Sequence, residues 1–295
     1  MKAFSALALA ALLMTACQND EETMQTDSRV ALQVTSGIQT RAYDDQWEKG
    51  DEIGIFGNRQ GTTPAEWSGN VPYTTTNGDG NFAPDAGPIY LPTDGTSVDF
   101  VAYYPYTASL TDGVYTVDVS SQSNQSAIDF MASGTQTADR INPEVVFNFE
   151  HKLSKLYITF RAGDGMAAAD LAGMTVQLTG QQPKATYDVT QPDGAVNVGT
   201  DNPVTLTLNT AADGTSAEGI VLPSNNYDSM VLHLVLANNA GFFNWNLYES
   251  EAESFEAGKK YVYAITVNST RLDVTASITD WTPGNGEGGE QGEAY

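Results

Sequence analysis

The chain has 295 residues and carries 37 Asp and Glu against 13 Lys and Arg, a formal net charge of −24. A polyanion of this kind repels phosphate backbones, so nucleic acid is not an expected partner, and the charge is read as keeping an exposed protein hydrated rather than as a catalytic device. The single cysteine rules out an intramolecular disulfide, so the fold must rest on packing, and the length suffices for two domains of ordinary size.

Lys2 followed by an apolar run from Ala3 to Met14 reads as a targeting segment, too short to persist as a membrane-spanning helix. The run ends in Leu13-Met14-Thr15-Ala16-Cys17, small residues directly before a cysteine, which resembles a lipobox. Residues 1–16 are then a signal peptide and Cys17 the lipidated mature N-terminus; a plain secretory signal with a spare thiol is the alternative. Gln18-Asn19-Asp20-Glu21-Glu22 resembles the acidic export signal of surface-displayed lipoproteins, and residues 17–28 make a polar linker.

From there on, short alternating runs bounded by Gly, Pro, Asn and Asp recur, and no stretch holds helical periodicity for long. The first places Val30, Leu32 and Val34 on one face against Ala31, Gln33 and Thr35. Trp47, the Gly50-Asp51 turn and the apolar run ending at Phe56 describe an aromatic plug, a reversal and a strand buried on at least one face. Strands at 52–57, 97–103, 114–119, 144–149 and 152–161 complete an N-terminal domain over 29–161. Within it, Asn77-Gly78-Asp79-Gly80-Asn81 lacks the alternating acids and terminal Glu of a calcium loop and is read as a hairpin turn. Pro105 after Tyr103-Tyr104 marks a strand end.

Asp164 to Ala172 is small-residue loop or a single helical turn and opens a C-terminal domain over 162–281. Its strands are predicted at 174–179, 185–190, 203–209, 218–223, 229–237, 242–249, 259–267 and 271–279, several separated by turns such as Pro192-Asp193-Gly194. Residues 282–295, rich in Gly and Glu without apolar alternation, read as a tail disordered by composition. The lack of intervening helices argues against parallel pairing, so two antiparallel sandwiches in series are expected.

Side-chain chemistry points away from catalysis. His151 lies between Phe149 and Leu153, His233 is isolated, and neither has a visible partner, a metal-ligand spacing or a nucleophile nearby. Both are read as structural, with no catalytic residue, metal or cofactor expected. Asp51, Asp99 and Glu150 are read as turn or edge acids, since nothing pairs two carboxylates in the manner of a glycosidase.

Five segments together carry a family resemblance: Thr40-Arg41-Ala42 leading to Trp47, Gly50-Asp51 and Ile53-Gly54-Ile55-Phe56; Phe100-Val101-Ala102-Tyr103-Tyr104-Pro105; Asp129-Phe130-Met131; Phe147 through Leu156; and Tyr261-Val262-Tyr263 running to Ile278-Thr279-Asp280-Trp281. In this order and spacing they resemble the fimbrillin-like family, the type V pilin group of Bacteroidota. The resemblance implies two tandem transthyretin-like antiparallel β-sandwich domains, with Trp47, Gly50, Asp51 and Trp281 in structural roles. It also implies a fimbrial subunit or accessory adhesin, held at the outer membrane through Cys17, that polymerises with other fimbrial subunits. Assembly in such a family removes the first strand by proteolysis and fills the vacated groove with a strand from the next subunit.

Mapped onto this chain, the releasable strand carries Val30, Leu32 and Val34, and an arginine-specific protease would cut between Arg41 and Ala42. A cut at Arg29 would instead release only the tether. Residues 259–267 and 271–279 are the donor candidates, and a host or bacterial surface ligand completes the partners. The competing expectation is a monomeric surface lipoprotein that binds glycans through aromatics such as Trp67, Tyr73 or Trp245. Trp67 in its Gly- and Ser-containing loop is the better platform, because Trp245 alternates with Phe243 and Leu247 as a core residue does.

Overall fold

The computed structural model describes residues 29–36, 47–59, 68–224, 229–247 and 254–281. Ten strands come first, nine of them in the sheet of a first unit and β6 outside it: β1 (Gln33–Ser36), β2 (Glu52–Arg59), β3 (Ser68–Thr74), β4 (Asn81–Pro84), β5 (Val98–Tyr104), β6 (Val114–Asp118), β7 (Met131–Ser133), β8 (Gln136–Ala138), β9 (Glu144–Phe147) and β10 (Phe149–His151). Eleven follow: β11 (Ser154–Ala162), β12 (Thr175–Gln181), β13 (Lys184–Asp188), β14 (Asn197–Val198), β15 (Val204–Thr207), β16 (Asn209–Thr210), β17 (Ser216–Val221), β18 (Val231–Val235), β19 (Phe242–Asn246), β20 (Lys259–Val267) and β21 (Leu272–Asp280). The expected all-β class holds. The small-residue patch after Gly163 contributes one 3-10 turn at Ala168–Asp170.

In the first unit the sheet runs β10-β7-β5-β2-β3-β4-β1-β9, with β8 on β5. Its two ends are consecutive in the chain, Asn148 alone separating β9 from β10, so the sheet folds back on itself as two layers. The bend is at β4, which pairs with β3 through Ala83 and Pro84 and with β1 through Asn81 and Phe82. Between the layers lie Leu32, Val34, Trp47, Ile53, Ile55, Tyr73, Phe82, Phe100 and Phe147, all buried. The segment read as a hairpin turn is one: it joins β3 to β4, and Gly78 and Gly80 take left-handed φ values of 69° and 79° there.

The apolar runs of β2 and β5 are continuous rather than alternating because both strands are covered on two faces. Ile53, Ile55 and Phe100 point into the first core, while Phe56, Val101 and Tyr103 join a second core shared with the rest of the chain. Tyr103 lies so flat on β2 that a Cβ at Gly54 would stand 2.2 Å from its ring. Its hydroxyl is held by Asn70 at 2.5 Å, so the ring has little room to retreat. Gly54→Ala is therefore expected to cost about 1–3 kcal/mol of stability, read as a lower denaturant midpoint. Gly69→Ala, whose Cβ would make ordinary contact with Phe56 at 3.6 Å, should leave it unchanged, and equal midpoints for both variants would contradict the close approach.

The second unit packs the sheet β16-β17-β11-β20-β21 on the sheet β15-β12-β18-β19. Leu156, Ile158, Tyr261, Tyr263 and Ile265 from the one meet Val176, Leu178, Leu232, Leu234 and Trp245 from the other. β6 leaves the first unit to pair with β13 in a third small sheet, β14-β13-β6, which ties the two units together.

Two expectations need correction. The boundary expected near Arg161 falls inside β11, whose ladder runs wholly to β17 and β20, so first-unit pairing ends with β10 at His151. The sequence pattern could not show this, because β10 and β11 are separated by Lys152 and Leu153 alone. Nor is pairing purely antiparallel: β1 runs parallel to β9, and β11 parallel to β20. A parallel pair needs a long crossover, not a helical one, and here each crossover is a series of strands.

Candidate strand-exchange site

β1 is short but fully built into the first unit. It lies between β4, antiparallel to it with Val34 opposite Phe82, and β9, parallel to it from Gln33–Glu144 to Ser36–Phe147. The bonding continues upstream: the Leu32 amide donates to the Ile89 carbonyl at 2.8 Å, the Val30 carbonyl accepts from Leu91 at 2.9 Å, and Arg29 lies over the Tyr90 ring at 4.1 Å. Leu32 and Val34 are each 4% exposed, while Gln33 and Thr35 face solvent, so the predicted alternation is realised; Val30 is half-buried at the margin of the core.

At the other end the Ser36 amide donates to the Gly80 carbonyl at 2.8 Å, and the Trp47 indole N–H donates to the Ser36 hydroxyl at 2.6 Å. The residues flanking 37–46 are thus bonded to each other. Cys17, Arg41 and Ala42 lie outside the described residues, as do Trp67, the segment 1–28 and the tail 282–295.

Trp47 is plugged beneath this point against Phe82, Tyr104 and Phe149. Gly50 takes φ 95°, and Asp51 accepts from the Glu48 amide at 2.7 Å and the Tyr104 hydroxyl at 3.0 Å. Burial pushes the Asp51 carboxyl above its ordinary range, partly offset by those two donors, and burial beside Asp51 raises the Tyr104 hydroxyl. These are turn and core positions. Asp99 and Glu150 also behave as surface acids, accepting from Thr137 and Lys152.

His151 does have partners, which sequence reading missed. Its Nδ1 lies 2.7 Å from the Asp129 carboxylate with both side chains buried, and its ring stacks on Trp281 at 3.7 Å, 5° from parallel. Three of the motif segments therefore converge where the last described strand ends, beside an open cleft of about 690 Å³ that His151 and Trp281 help to line. No side-chain period links residues 129, 151 and 281, so only the fold brings them together.

The two donor candidates differ sharply. β20 is central, paired on both sides and buried at Tyr261, Tyr263, Ile265 and Val267. Among the described residues β21 is the sheet edge, with a ladder to β20 on one side, Ala276 exposed and Ile278 48% exposed. Of the expected glycan platforms, Tyr73 is fully buried with its hydroxyl accepting from the Ile89 amide, and Trp245 is 7% exposed and packed on Tyr263. Neither can receive a sugar.

A two-core β-sandwich protein whose first described strand is enclosed between β4 and β9 defines the class. The fimbrillin-like family pattern matches residues 40–281. A protein of Bacteroides uniformis named "Putative fimbrium subunit Fim1C" is 46% identical over 299 residues, covering 97% of this chain and 96% of that protein. The crystal structure of a "putative cell adhesion protein" from Bacteroides uniformis superposes with a TM-score of 0.79 at 41% identity, over 87% of this chain and 99% of that one. A second such structure, from Bacteroides ovatus, shares the fold at 22% identity with a TM-score of 0.68, over 86% and 98% of the two chains. The chain belongs to the fimbrillin-like family.

Proposed function

We propose that this protein is a surface fimbrial subunit or accessory adhesin that assembles by exchanging its first strand. It is exported, lipidated at Cys17 and held at the outer membrane; an arginine-specific protease then cuts between Arg41 and Ala42. The observation that carries this reading is the position of β1: it is bonded on both sides, yet it belongs to a segment that one cut can detach from Trp47 and everything after it.

Loss of β1 leaves β4 with an open edge and β9 without its ladder, above a trench lined by Phe82, Val145 and Phe147. Unpaired backbone groups beside an apolar groove template another extended segment. Two buried aliphatic side chains from the incoming strand contribute on the order of 3–6 kcal/mol before ordering costs, and the ladder bonds add to this. β21 is the favoured donor. Leu272, Val274, Ala276 and Ile278 alternate along it as Val30, Leu32 and Val34 do along the first strand, and its own sheet covers them incompletely. Cutting at Arg29 would keep β1 in place and end the tether only.

N-terminal sequencing of the protein recovered from cell-surface filaments tests the proposal. A mature end at Ala42 is expected, together with SDS-resistant ladders that Arg41→Ala abolishes. Filaments whose subunits all begin at acylated Cys17 or at Val30 would sink it.

A further inference from the structure

The sheet β15-β12-β18-β19 buries one face and leaves the other open. Its strands read Val-Thr-Leu-Thr, Thr-Val-Gln-Leu-Thr-Gly-Gln, Val-Leu-His-Leu-Val and Phe-Phe-Asn-Trp-Asn, without one Asp, Glu, Lys or Arg. In a chain with 37 acids and 13 bases, a sheet this size without charge is unusual for a surface that meets water alone. Val176, Leu178, Leu206, Leu232, Leu234 and Trp245 alternate inward, which leaves the polar residues between them facing out.

The registers place those outward residues. Thr207, Gln177, His233 and Asn244 stand directly opposite one another on four neighbouring strands, one row across the sheet. The Gln177 amide donates weakly to the Thr207 hydroxyl at 3.4 Å, and His233 Nδ1, though shielded from solvent, has no hydrogen-bond partner. Beside the row, on the edge strand, Phe242 is 68% exposed with its ring 6.4 Å from His233 and nearly perpendicular to it.

We propose that this face binds neutral saccharides. Phe242 offers the flat apolar surface on which the C–H face of a sugar ring packs, and Gln177, His233 and Asn244 form the row that reads its hydroxyls. A sugar hydroxyl donates and accepts at once; side-chain amides do both, and an imidazole carries one ring nitrogen of each kind when neutral. The absence of charge fits a ligand that needs no counter-charge, and the −24 of the whole chain disfavours acidic glycans. A protein partner would call for a wider apolar centre than one phenylalanine and two half-buried valines, Val231 and Val235. An exposed aromatic on the outermost described strand of a sheet is otherwise an aggregation hazard. The site is separate from β1 and does not rest on strand exchange.

The test is binding of the intact protein to immobilised neutral oligosaccharides ending in galactose, mannose, fucose or N-acetylglucosamine, beside their sialylated and sulfated counterparts. Saturable binding to at least one neutral glycan is expected, weaker by about tenfold or more on the acidic counterpart. Phe242→Ala and Asn244→Ala should each weaken it by about tenfold or more, with thermal unfolding unchanged because both side chains are exposed, and Phe242→Tyr should retain it. No binding to any neutral glycan, or equal binding by the parent and Phe242→Ala, overturns the proposal. So does light scattering in which Phe242→Ala dissolves an oligomer while glycan binding stays unchanged, which would make the face a contact between copies.

Discussion

Replacing Leu32 and Val34 together by aspartate is expected to unfold the first unit at room temperature, whereas Gln33→Asp with Thr35→Asp in the same strand should change stability by less than about 1 kcal/mol. The contrast follows from a single alternation. Leu32 and Val34 are each 4% exposed inside the first core, and Gln33 and Thr35 face solvent. Withdrawing the two aliphatic side chains forfeits about 1.5–3 kcal/mol each, and burying two carboxylates in their place adds several more, so the sum meets the whole 5–15 kcal/mol that stabilises an ordinary domain. Near-ultraviolet circular dichroism and limited proteolysis would read the loss, with the second unit's sheets as internal reference. Should the inward pair prove as harmless as the outward pair, β1 is a surface ornament, and no groove is left behind when it goes.

Strand alternation and turn chemistry made most of the fold readable: β1, β2, β5, β6, β9, β11 and nearly every strand of the second unit fall on predicted runs. β3 and β4 escaped because Gly69, Asn70, Pro72 and Pro84 interrupt any apolar period, and β7 and β8 because three residues carry no period at all. Pairing partners were less accessible than strands. Alternation says which side chains share a face but not which neighbour lies across the ladder, so the parallel β1–β9 and β11–β20 pairs and the departure of β6 to β13 had no local signature.

The same limit governs the candidate sites. The inward face of β1 could be read from Val30, Leu32 and Val34 because it is local, and Trp47 could be read as a plug from the turn and apolar run that follow it, whereas a structural place for Trp281 came only from the family resemblance. The pairing of His151 with Asp129 and Trp281 spans most of the chain and left no trace in any window. The saccharide face is intermediate. Its uncharged strands are visible in the sequence once sought, but the row from Thr207 to Asn244 exists only after three registers are fixed.

Trp47→Ala is expected to cost about 3–5 kcal/mol, the range for deleting a large aromatic from a core, and to loosen β1 beyond that average effect. The ring is 3% exposed and meets Phe82, Tyr104 and Phe149 edge-on at 5.1, 5.3 and 5.3 Å, so three other aromatics lose their packing at once. Its N–H to the Ser36 hydroxyl also joins the end of β1 to the residue at which the described chain resumes after residues 37–46. Trp47→Phe separates the two contributions: it keeps most of the aromatic contact and gives up the N–H, for about 1 kcal/mol. Amide exchange at Val34, Thr35 and Ser36 should rise in both variants relative to β12, whose Val176 and Leu178 lie in the second core. If Trp47→Ala lowers stability by less than about 1 kcal/mol, or if exchange in β1 keeps pace with β12, then the strand is held by its ladders alone and Trp47 has no part in retaining it.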